Sequence, residues 1–137
     1  MVTSSSGITP FLTFTGRAEE AMSFYVSLFP RSEVLDVRLR RYGPNEAGPE
    51  GSVMHATFAL AGQQFMCSDS YVAHDWTFTP AISLYMRCES EEEIERLYRG
   101  LSDGGQVFMP LDRYPFSERF GWVGDRYGVS WQLALER

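Results

Sequence analysis

The sequence predicts an α+β fold: two βαβββ modules in tandem, forming a single domain over residues 1–137. Three observations predict it. The closing stretch, residues 121–135, reads as strand, tight turn, strand. Asp125-Arg126-Tyr127-Gly128 supplies a side chain that can bond its own backbone and a glycine free to take a positive φ. Beyond it Val129, Trp131, Leu133 and Leu135 alternate with Ser130, Gln132 and Ala134, a strand with one apolar and one more polar face. Second, residues 61–67 echo residues 127–133, with Gly62 over Gly128, Phe65 over Trp131 and Met66 over Gln132. Third, residues 19–29 echo residues 91–101, and Met22, Tyr25, Val26 and Phe29 fall on Ile94, Leu97, Tyr98 and Leu101 at the spacing of one helix face. Two echoes in the same order indicate one module used twice.

The first module is expected over about residues 8–69. A strand spans residues 8–15, with Pro10 near its start, where a missing N–H is tolerated. A helix covers residues 18–29 and Pro30 stops it. Residues 33–41 alternate Val37 and Leu39 against Arg38 and Arg40 as a second strand. Residues 43–51 are a Gly/Pro loop, and residues 52–60 and 64–68 form a hairpin across Gly62. A linker over about residues 70–79 carries enough aromatic residues to be expected to pack. The second module, about residues 80–137, opens with a strand at 80–88. Its helix over residues 89–101 has Ser90 as N-cap with Glu93 three positions on, a capping box, and Gly104-Gly105 end it. A strand over residues 106–112, a loop over 114–117 and the closing hairpin complete the module.

Composition narrows the function. The chain has 137 residues, 44% hydrophobic and 15% aromatic, with a net charge of −6. An acidic balance argues against a nucleic-acid partner, which needs clustered Lys and Arg. No apolar run approaches the roughly 20 residues of a membrane span. Residues 1–7 lack the basic and apolar regions of a signal peptide, and Cys67 and Cys88 match no metal or disulfide spacing. Cytoplasmic residence without a membrane partner is expected.

Several stretches carry a family signature: Ile8-Thr9-Pro10-Phe11-Leu12, Ala18-Glu19-Glu20-Ala21 through Phe24-Tyr25, Gly104-Gly105, Met109-Pro110-Leu111, Phe116-Ser117 through Arg119-Phe120-Gly121-Trp122, and Asp125 to Leu133. With the two βαβββ modules, they resemble the vicinal-oxygen-chelate superfamily of glyoxalases, bleomycin-resistance proteins and extradiol dioxygenases. The similarity is closest to its PhnB-like branch, also labelled 3-demethylubiquinone methyltransferase-like. The resemblance implies curled sheets that form a cleft, helices on the outer faces, and a homodimer. In metal-holding members four side chains, mainly His and Glu, hold a divalent ion. It places those positions here on Pro10, Met66, Ser83 and Gln132, so no metal is expected. A methyl donor is not expected either. The chain has no G-x-G-x-x-G and lacks the strand–helix alternation of a doubly wound sheet. No cofactor is therefore anticipated.

Strand alternation then nominates ligand-binding residues. Ser130 accompanies Gln132, Gln64 and Ser68 accompany Met66, Tyr85 and Arg87 accompany Ser83, and His55 shares a face with Thr57. The candidates are Arg38, Arg40, Met66, Ser68, Ser83, Tyr85, Trp122 and Gln132, with His55 as a candidate general base because imidazole titrates near neutrality. Against this, His55 reads as a hydrogen-bonded structural histidine, and Arg38 and Arg40 as a solvated face or a dimer-surface ion pair. Trp131 is expected in the core and Cys67 as a small buried hydrophobe. The expected function is small-molecule binding in a metal-free cleft, suited to a cationic or planar ligand. The alternative is a metal-independent isomerase- or lyase-type enzyme on a small carbonyl or enolisable compound, with Arg40 or Gln132 steadying an oxyanion. A structural dimer with a vestigial cleft is a third reading.

Overall fold

The hairpin that closes the first module shows how local chemistry sets the fold. Ala61 and Gly62 both take positive φ, 51° and 82°, the conformation a two-residue turn needs to match strand twist. In this computed structural model, which describes residues 7–35 and 40–136, the turn joins β4 (Val53–Leu60) to β5 (Gln63–Asp69). Before them come β1 (Phe11–Phe14), α1 (Ala18–Leu28), β2 (Glu33–Val34) and β3 (Arg40–Arg41). The sheet order is β1-β5-β4-β2, with β3 also pairing β4. Ala18, Ala21, Met22 and Tyr25 recur at 3.6-residue spacing and are buried against one face of this sheet. That face is built from Leu12, Phe14, Ala56, Phe58, Phe65 and Cys67, all buried, with Phe58 and Phe65 stacked at 5.4 Å.

The second unit repeats the plan with β6 (Leu84–Cys88), α2 (Glu91–Ser102), β7 (Gln106–Tyr114), β8 (Ser117–Gly124) and β9 (Ser130–Leu135). Its order, β6-β9-β8-β7, is the first sheet's order position for position. In both, the first strand lies parallel to the last and the remaining pairs are antiparallel. The Ser90 cap is present, with Ser90 Oγ accepting from Glu93 N–H at 3.1 Å, and Glu93 Oε1 reaches back one residue beyond the N-cap to accept from Glu89 N–H at 3.0 Å. Ile94, Leu97 and Leu101 are fully buried on the sheet side of α2. Gly105 has a packing reason, since a Cβ there would stand 2.1 Å from the Gly124 carbonyl oxygen. In the last turn, Asp125 Oδ1 accepts from the Tyr127 and Val129 amides and Oδ2 from Trp131 Nε1 at 2.9 Å.

Three expectations change. The strand placed over residues 33–41 is described at its two ends, as β2 and β3, and residues 36–39 lie outside the described residues. The pairing of β4 with β3 does not continue the register of its pairing with β2. The strand placed over 80–88 begins only at Leu84, after a turn at residues 80–82. Two of the linker aromatics do not pack into a core, while Phe78 is half-buried. Tyr71 and Trp76 are 57% and 58% exposed, although Tyr71 meets Tyr42 edge to face at 6.1 Å. Aromatic content predicts burial only where strand or helix periodicity aims the rings inward, and this segment has neither. The chain divides into compact units at His74–Asp75. Among the described residues no helix is long and apolar enough to cross a membrane.

Candidate functional site

Each sheet has one face under its helix and one face turned away from it. In the second module the alternation of β9 sends Trp131, Leu133 and Leu135 toward α2 and Ser130 and Gln132 to the other face. The register aligns Tyr85, Gln132 and Trp122 in one row across β6, β9 and β8. A hydrogen-bonded chain runs along this face. Trp122 Nε1 donates to Ser130 Oγ at 2.8 Å, Ser130 Oγ lies 2.7 Å from Ser83 Oγ, and Gln132 Nε2 donates to Ser83 Oγ at 3.4 Å. The proton count is informative. Two hydroxyls share one mutual bond, so one hydroxyl proton is left over, together with the Gln132 Oε1 acceptor. Phe108 packs on Trp122 with ring centroids 5.2 Å apart. At the far end of the face, Tyr85 Oη donates to Glu136 Oε2 at 3.0 Å and Arg87 Nε sits 3.3 Å from Glu136 Oε1. Burial, and then the Glu136 hydrogen bond, push the Tyr85 phenol above its ordinary value. The face therefore offers neutral hydrogen-bonding groups beside an aromatic platform, and its charges pair with each other.

In the first module the corresponding row is Phe11, Met66 and Thr57 across β1, β5 and β4. Phe11 is 47% exposed, and the His55 ring lies 6.1 Å from it. His55, half-buried, is two residues from Thr57 on the same strand face, and Ser68 pairs with Thr13 beside Met66. Thr57 is 1% exposed, and its hydroxyl has no hydrogen-bond partner. Pro10 is corrected as a site position. Its carbonyl accepts from Met66 N–H at 2.9 Å, but by alternation Pro10 has the parity of the helix-side Leu12 and Phe14, and Phe11 occupies the open face instead.

Of the nominated residues, Ser83, Trp122 and Gln132 are joined through Ser130, while Tyr85 shares their row but bonds Glu136. His55, Met66 and Ser68 share the first module's open face. Arg40 pairs in the backbone register with His55, and its side chain lies outside what is described. Arg38 lies outside the described residues altogether. Sequence reasoning missed Phe108, and alternation could not have found it, because the β7–β8 register shifts between Val107 and Met109. Ser130 was placed on this face by the period-two pattern, beside the Gln132 that the resemblance supplied.

The sequence profile of the 3-demethylubiquinone-9 3-methyltransferase family matches residues 6–134. The chain belongs to that family. It is 58% identical to the Bacillus cereus PhnB protein, with a TM-score of 0.91 over 94% of this chain and 98% of that one. It is 22% identical over 138 residues to Protein YjdN of Escherichia coli (strain K12), covering 92% of each. A glyoxalase/bleomycin resistance protein from Albidiferax ferrireducens shares the fold, with a TM-score of 0.58 at 14% identity over 96% of this chain and all of that one. The PhnB-like resemblance and the glyoxalase/bleomycin-resistance fold are thereby established.

The groups that family and superfamily names imply do not fit these residues. A divalent ion needs imidazole, thiolate or carboxylate donors around one point. Among the described residues no three His, Cys, Asp or Glu side chains gather so. Met66 offers a thioether, Ser83 a hydroxyl oxygen that already accepts from Gln132 Nε2, and Gln132 a neutral amide oxygen. Nor is a methyl donor's anchoring turn found among the described residues. Where β1 leads into α1, the Gly16 and Ala18 amides, which a Gly-rich ligand turn would present outward, both donate to Asp69 Oδ1 at 2.9 Å.

Proposed function

We propose that this family member is a small-molecule-binding protein that holds a planar, uncharged, hydrogen-bonding ligand on the open face of its second sheet, without a metal. The observation that carries the reading is the chain Trp122–Ser130–Ser83–Gln132 beside Phe108. A few placed polar groups next to aromatic surface are what a small-ligand site requires. Self-pairing of Arg87 with Glu136 argues for a neutral ligand over the cationic one that net charge suggested. We further propose a cytoplasmic homodimer. Exposed apolar side chains support association, with Ile82 74% and Phe116 65% exposed on the single chain.

An enzyme reading is supported by one observation. His55 shares the first module's open face with the unpaired Thr57 hydroxyl and an exposed aromatic ring, which a general base for an enolisable carbonyl compound could use.

Tryptophan fluorescence and thermal-shift screens with planar amides and quinones test the binding reading, using wild type, Gln132→Leu and Trp122→Phe. Binders to the wild type should lose about tenfold in affinity in Gln132→Leu, the effect of one hydrogen bond of about 1.4 kcal/mol. Binders indifferent to both substitutions, or no binder at all, would reject the site.

A further inference from the structure

The first module contains a cavity of about 290 Å³. It is lined by the β1–α1 turn (Thr15, Gly16), the loop before β4 (Pro49, Ser52) and the segment that follows β5 (Ser70 to Ala73). Ser70 lines it, and Ser70 Oγ lies 2.7 Å from Nε2 of His74, the residue that follows the lining segment. We propose that Ser70 is a nucleophile toward short neutral acyl esters, with His74 as its general base.

Four features support this. The 2.7 Å separation is within the hydrogen-bond reach required of a nucleophile and its base. The Val72 amide donates to Ser70 Oγ at 3.2 Å, a bond that stabilises negative charge growing on that oxygen. The cavity is small and partly apolar, with Pro49, Val72 and Ala73 in its lining, and so fits a short acyl chain. Asp69 is also in the lining and disfavours an anionic substrate. The amides at the start of α1 are spent on that carboxylate, so the cavity is not a helix-terminus anion site.

The hydroxyl has a single proton, and two patterns satisfy the geometry. In one, Ser70 donates to His74 Nε2 and is poised to react. In the other, His74 donates to Ser70, which donates to the Val72 carbonyl at 3.2 Å and serves only as a turn. The proposal requires the first. Ser70 Oγ then attacks the ester carbonyl and passes its proton to His74 Nε2. The tetrahedral species collapses, and the leaving alcohol takes that proton. Water attacks the acyl-serine, giving a proton to His74. The carboxylic acid departs, and Ser70 recovers the proton.

The full chain is incubated with a fluorophosphonate probe and then with p-nitrophenyl acetate. Intact and peptide masses should show one adduct, on the peptide carrying Ser70. Ser70→Ala should abolish it, and His74→Gln should slow labelling at least tenfold while circular dichroism stays native. Ester turnover should fall in parallel. Absence of an adduct on wild type would overturn the proposal. An adduct elsewhere, such as Ser52, or labelling unaffected by His74→Gln, would also overturn it. If Ser70→Ala fails to fold, His74→Gln and the mapped adduct decide the question. Glu92→Gln, at an exposed position of α2, should leave labelling unchanged.

Discussion

The two modules have the same strand order and are fastened by different means. In the second, the helix is capped by its own neighbours, Ser90 and Glu93, and the buried Asp125 bonds residues two to six positions ahead. In the first, α1 has no local side-chain cap. Its cap is Asp69, at the end of β5. That buried carboxylate accepts from Gly16 and Ala18 through one oxygen and from Val53 through the other at 3.0 Å. One residue thus ties the β1–α1 turn, the start of β4 and the end of β5. The position that echoes Asp69 in the second module is Leu135, an apolar core residue. The repeat therefore preserves the apolar pattern that buries each helix, while each copy places its polar fastening independently.

The sharpest way to break that comparison is to remove each cap. Asp69→Ala leaves three amides without their acceptor, two of them in bonds that are buried. At about 1–3 kcal/mol for each unsatisfied buried group, a loss of about 4 kcal/mol or more is expected in urea unfolding. Ser90→Ala removes an exposed cap and should cost about 1 kcal/mol. Equal losses would mean that Asp69 is not the fastening of the first module. Asp69→Asn sharpens the test. Its amide oxygen can serve Gly16 and Ala18, but its NH₂ cannot accept from Val53, so an intermediate loss is expected.

The same contrast explains what was legible in the sequence. The Ser90 cap, the Ala61-Gly62 turn and the face alternation of β9 depend on residues a few positions apart, and all were readable. Asp69 acts across separations of 16 to 53 residues, which no local pattern encodes. The family resemblance supplied Ser83 and Gln132, Trp122 was named for its ring, and strand parity set Ser130 beside Gln132. It could not foresee that Ser130 would join them into one chain, because that depends on rotamers. Phe108 escaped because a bulged strand abandons the period of two.

A property the modules share gives the next test. Cys67 in the first and Cys88 in the second are both buried, and burial pushes both thiols up to about 12. The Asp69 charge adds to this at Cys67, and Glu93 does so at Cys88, where Arg96 acts in the opposite sense. The folded thiols stay neutral while unfolded ones ionise near the ordinary value of 9.0. The stabilising contribution is therefore complete below about pH 9 and is lost as pH rises toward about 12. Urea midpoints should fall steadily across that window, and native thiols should resist alkylation at pH 8. A flat midpoint up to pH 11, or rapid native alkylation, would show that these thiols are not buried as described.

The smallest effects separate the two open faces. Ser130 is nearly inaccessible, and its oxygen is the acceptor for Trp122 Nε1 and the neighbour of Ser83. Ser130→Ala deletes that acceptor and leaves the indole N–H, on a half-buried ring, without its bond. A loss of about 1–2 kcal/mol is expected. Thr57 is equally inaccessible, on the first module's open face, yet its hydroxyl bonds nothing. Thr57→Val keeps the shape and removes a polar atom that pays its desolvation cost with no hydrogen bond in return. Stability should be unchanged or rise by up to about 1 kcal/mol. If Thr57→Val instead costs as much as Ser130→Ala, the hydroxyl has a partner, an ordered water for example, and the first face is bonded like the second. If it stabilises as expected, an unpaired hydroxyl is kept at a cost beside His55. That result would favour the first face as the one where chemistry, rather than holding, takes place.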